Sequence, residues 1–62
     1  MGFKKGDIIE YCGELFEVLK NYGNSGSVIH VNDDFERLED VPNNNFYWSA
    51  YGADCKLIKA CA

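Results

Sequence analysis

The stretch Asp7-Ile8-Ile9-Glu10-Tyr11-Cys12-Gly13-Glu14-Leu15-Phe16-Glu17-Val18-Leu19-Lys20 decides the fold. Two runs of apolar residues with period near two flank Gly13, a residue that takes the positive φ a tight turn needs, so the stretch reads as a β-hairpin with strands at 7–12 and 14–20. In the second strand Phe16 and Val18 share one face while Leu15 and Leu19 share the other. A strand apolar on both faces suits a strongly curved small barrel, one face turned into the core and the other capped by a loop or a neighbouring strand.

Working outward, Tyr22-Gly23-Asn24-Ser25-Gly26 is dense in turn formers and reverses the chain. Ser27-Val28-Ile29-His30-Val31 follows as a third strand, its β-branched residues favouring the extended state. Residues 32–42 have two readings. Asp33 to Glu39 forms a helical turn with acids near its positive N-terminal end, or the strand continues through a turn at Asn32-Asp33. Pro42 ends either one. Phe46-Tyr47-Trp48-Ser49-Ala50 reads as a fourth strand, Tyr51-Gly52-Ala53-Asp54 as a turn or one turn of 3₁₀ helix, and residues 55–60 as the last strand. Turns every eight to twelve residues make the chain all-β, and 62 residues make one small domain, 1–62.

Five short strands, the Gly6-Asp7 entry before an apolar pair, Gly26 leading a β-branched strand and the tight turn before the last strand resemble the SH3-like barrel superfamily over residues 6–60. The likeness extends to the small barrels encoded by bacteria and their phages. It implies a five-stranded barrel with short hairpin turns. The Ala-Leu-Tyr-Asp-Tyr-type stretch and the paired tryptophans of proline-peptide-binding SH3 domains are absent, so that ligand class does not carry over.

The net charge of −4 is local: Asp33, Asp34, Glu36, Glu39 and Asp40 outweigh Arg37 by as much, and the rest of the chain balances. A basic stripe that could release counterions from a nucleic acid is therefore missing. No signal-like start or membrane-length apolar run occurs, so the expected address is the cytoplasm and no membrane partner is expected. Cys12, Cys55 and Cys61 are read as free thiols, with a Cys12–Cys55 bridge as the alternative.

The aromatic residues divide. Phe46 and Trp48 are expected to fill the core with Ile9, Phe16, Val18, Val28 and Leu57, leaving Tyr22, Tyr47 and Tyr51 as an exposed patch. The acidic run lacks the glycine and alternating oxygens of a calcium loop, the Cys and His spacings lack the pairs of a zinc site, and lone His30 in a strand leaves no room for Cys–His catalysis. Expected, then, are no catalytic, metal-binding or cofactor-binding residues. The reading is a non-enzymatic protein-interaction module, of the kind a phage or mobile element carries as a regulator or inhibitor. It docks Tyr22, Tyr47 and Tyr51 on a partner while Asp33, Asp34, Glu36 and Glu39 attract the partner's basic surface. The alternative is single-stranded nucleic-acid binding, with the aromatics stacking on bases and Lys4, Lys5, Lys56 and Lys59 forming a basic groove.

Overall fold

The computed structural model describes residues 3–51 and 54–60. Strands β1 (Ile8–Tyr11), β2 (Glu14–Asn21), β3 (Gly26–His30), β4 (Asn44–Phe46) and β5 (Lys56–Lys59) form one antiparallel sheet in the order β4-β3-β2-β1-β5, with a single helical turn α1 (Trp48–Tyr51) before the last strand. The fold is all-β, with five strands and almost no helix. The sheet does not close into a barrel: β4 and β5 remain its two edges.

The hairpin at the front of the chain is where the sequence places it. Tyr11 pairs with Glu14 across a two-residue connection in which Cys12 (φ 53°) and Gly13 (φ 79°) are both left-handed. That pair of dihedrals makes a type I′ turn, whose twist matches that of the flanking strands. Asp7 lies just before β1 as part of a turn. Its carboxylate accepts the Lys4 N–H at 2.8 Å and its own N–H donates to the Lys4 carbonyl at 3.0 Å. Gly6 and Asp7 also exchange bonds with Val18, and the Asn21 amide donates to the Phe3 carbonyl, so the entry segment is pinned along β2.

The pleat sorts the side chains. Ile9, Phe16, Val18 and Val28 point to one face and form a core with Phe3, Phe46 and Trp48. Ile8 and Glu17 pair on the opposite face, and there the chain after β3 folds back. Val31 is buried and bridges to Arg37, whose guanidinium donates twice to the Glu17 carboxylate at 3.0 Å. The second face of β2 is thus capped by a loop, which explains its apolar residues on both sides.

Of the two readings of residues 32–42 the turn is the one observed, and two other expectations change. Residues 32–42 contain no helical turn: the chain reverses at Asn32-Asp33 and returns beside the end of β3, with the Leu38 N–H donating to the His30 carbonyl. The fourth strand is Asn44–Phe46 and not 46–50, because residues 44–46 supply the ladder partner of Gly26–Val28 while residues 48–51 coil into α1. Spacing does not separate these choices, since Phe46 and Trp48 reach the core either way. Leu57 is 52% exposed and lies outside the core, and Phe3 lies within it. The β1–β5 pairing carries a bulge at Ile58, on an edge strand with no second neighbour among the described residues to cover Leu57. Of the expected turn at 51–54, residues 52 and 53 lie outside the described residues, as does Cys61.

Candidate functional site

Trp48 organises the region. Its indole is 2% exposed, meets Phe3 edge-on at 5.6 Å, and donates Nε1–H to the Gly23 carbonyl at 2.6 Å. The Ser49 N–H donates to the Asn24 carbonyl at 2.9 Å. These two bonds tie α1 to the β2–β3 turn and fix one against the other. Gly26 makes this possible through space alone: a Cβ there would overlap the Trp48 ring and the Lys20 carbonyl oxygen.

The three expected tyrosines all sit on this tied frame. Tyr22 belongs to the β2–β3 turn, where its N–H donates to the Ser25 carbonyl. Tyr47 precedes α1, and its carbonyl accepts the N–H groups of Ala50 and Tyr51, so Tyr47 and Tyr51 stand four residues apart across one helical turn. All three are exposed, Tyr22 most of all at 63%. Tyr51 packs on Tyr11 (5.7 Å) and Phe46 (5.9 Å), while the described ring contacts include neither Tyr22 nor Tyr47. The structure therefore gives two freely presented tyrosines and one braced by the core.

Tyr11 is not among the three tyrosines expected in the patch, yet Tyr51 rests on it. It is half-buried and meets Phe46 edge-on at 5.2 Å. A hydrogen bond with Cys12, and after it burial and the charges of Cys12, Asp54 and Tyr51, push its hydroxyl above the usual tyrosine range. Its place just before the Cys12-Gly13 turn is the sequence signal that puts it at the end of β1. Cys12 and Cys55 are both free thiols, and the bridge between them is not formed. Burial, then the charges of Asp54 and Cys12, push the Cys55 thiol up.

The acidic segment is built on Asn32. Its Oδ1 accepts the N–H groups of Asp34 (2.8 Å) and Glu36 (3.0 Å), and its backbone bonds to Phe35 and Glu36 close the turn, leaving Phe35 left-handed at φ 65°. Asn is suited to that task because its short side chain mimics a backbone turn. Asp33, Asp34, Glu36 and Glu39 all face solvent. Arg37, the one base in the run, is engaged with Glu17, whose carboxyl that hydrogen bond holds below the usual range. The loop's arginine is thus turned to Glu17 and not to these four carboxylates. His30 is partly buried, edge-on to Phe16 at 4.3 Å and 3.9 Å from Glu14. Among the described residues, no three His, Cys, Asp or Glu side chains gather as metal ligands would. Lys4, Lys5, Lys56 and Lys59 are exposed, the first two in the entry segment and the others on β5.

Compared with protein-family models, curated proteins and solved structures, the chain matches none. Among the described residues, no helix is long and apolar enough to cross a membrane.

Proposed function

We propose that the chain is a non-enzymatic protein-interaction module of the cytoplasm, an open relative of the SH3-like small barrels, whose partner presents a basic surface. The strand order and the helical turn before the last strand support the architectural kinship. One observation carries the functional reading. Phe46 and Trp48 are spent in the core, yet Tyr22, Tyr47 and Tyr51 remain exposed on a frame that two hydrogen bonds hold together. Tyrosine offers large contact area with a polar tip at small entropic cost, and a preordered frame keeps that cost small. Asp33, Asp34, Glu36 and Glu39 add an acidic field that speeds encounter with a basic partner. A small regulator or inhibitor carried by a mobile element fits this design.

The test is affinity purification from cells with tagged wild type, a Tyr22→Ala/Tyr47→Ala variant and a Tyr47→Ala/Tyr51→Ala variant. Circular dichroism is run on each, because Tyr51 also braces Tyr11. The expected result is a partner with a basic surface recovered by wild type and lost by both folded variants. Equal recovery of that partner by all three proteins defeats the assignment.

A further inference from the structure

We propose that β5 is a second docking site, at which an extended acidic segment of a partner protein adds as a sixth strand. This site does not depend on the tyrosine face. Among the described residues β5 pairs with β1 alone, and all four of its residues, Lys56-Leu57-Ile58-Lys59, are exposed. Leu57 is 52% and Ile58 43% exposed, so large apolar side chains stand open on an edge strand. In an antiparallel pair only alternate residues exchange bonds with one neighbour, and the others turn their N–H and C=O outward as a template for another strand. The opposite edge differs: β4 offers the polar Asn44 and Asn45, and its one apolar residue, Phe46, is buried.

Charge selects the occupant. Among the described residues neither Lys56 nor Lys59 is in an ion pair, although Lys56 stands across from Glu10 and the Lys59 ammonium lies 5.7 Å from the Phe35 ring centre. A second copy pairing antiparallel about the Leu57–Ile58 midpoint would set Lys56 opposite the other copy's Lys59 twice, and like charges directly opposite oppose pairing. An incoming strand with carboxylates flanking apolar residues meets both lysines favourably and covers Leu57 and Ile58. Strand addition of this kind takes affinity from backbone bonds and selectivity from the alternating side chains.

The probe is an acetylated hexapeptide in which two glutamates flank a central pair of valines, titrated into the intact ¹⁵N-labelled chain. Its controls are a lysine–valine counterpart and a copy N-methylated at alternate amides. The expected outcome is binding of the acidic peptide with shifts and slowed exchange at the residue 56–59 amides, and at least tenfold weaker binding of both controls. A Lys56→Glu/Lys59→Glu variant with a native-like spectrum should reverse the preference toward the lysine peptide. No binding at millimolar peptide, equal binding of the N-methylated copy, or shifts centred away from β5 would overturn the proposal. So would dimerisation of the free protein through β5, or an oligothymidylate that binds at Lys56 and Lys59 while the peptide does not.

Discussion

Replacing Gly26 by alanine asks whether the junction between α1 and the β2–β3 turn is as tight as its geometry indicates. Gly26 is not among the residues with positive φ, so its conformation suits alanine and the cost is steric. The added methyl would sit 2.7 Å from Trp48 Cζ3, closer still to Cη2, and against the Lys20 carbonyl oxygen. The indole cannot swing away without losing its bond to the Gly23 carbonyl, and the Lys20 oxygen belongs to the backbone. Overpacking of this type costs about 1–3 kcal/mol. A domain of this size holds roughly 0.05–0.15 kcal/mol per residue, so the substitution removes a large share of its stability. With a urea slope of about 1 kcal/mol/M, a loss of ~2 kcal/mol moves the midpoint by about 2 M, and the melting temperature falls by about 8–16 °C. Trp48 is the single tryptophan, so its fluorescence reports the transition from within the junction. A cycle with Trp48→Phe sharpens the test: the smaller ring relieves part of the clash, and the double variant should be more stable than the sum of the single losses by at least about 0.5 kcal/mol. Additivity, or a Gly26→Ala midpoint equal to wild type, refutes the steric account.

Two further substitutions probe the frame. Cys12 holds a left-handed φ beside Gly13, so Cys12→Asn should raise stability by about 0.5–1 kcal/mol and Cys12→Val should lower it, measured by thermal melting in reductant; the opposite order would disprove the type I′ turn. Arg37 depresses the Glu17 pKa in the folded chain, so that pair stabilises above the unfolded carboxylate pKa of about 4.3 and its contribution is lost as pH falls through the lower folded value. Glu17→Gln should therefore unfold more easily than wild type at pH 7, and the handicap should shrink as pH falls toward 3, in urea titrations at both pH values; a difference unchanged with pH would rule out the ion pair as its source.

Local chemistry made the first half of the fold legible. Period-two patterning on both sides of Gly13, with apolar residues on both faces of β2, prescribes a hairpin that something else must cover, and each link acts between residues close in sequence. The segment 43–51 was not legible for the opposite reason. Asn44 and Asn45 are poor strand formers that become β4 because Gly26–Val28 presents an unpaired edge, and Trp48 enters a helical turn because the Gly23 carbonyl and the space over Gly26 lie on a turn more than twenty residues earlier.

The candidate site divides along the same line. That the tyrosines would remain exposed follows from a core too small for every aromatic, and that the acidity is local follows from counting. That Tyr22 and Tyr47 share a frame, that Tyr51 leans on Tyr11, and that Arg37 is drawn to Glu17 are long-range contacts. So is the openness of β5. The sequence by itself determined an all-β chain with an acidic loop and tyrosines to spare. Only the tertiary structure decided that the sheet stays open and which edge it leaves apolar, because edges are defined by the neighbours a strand lacks.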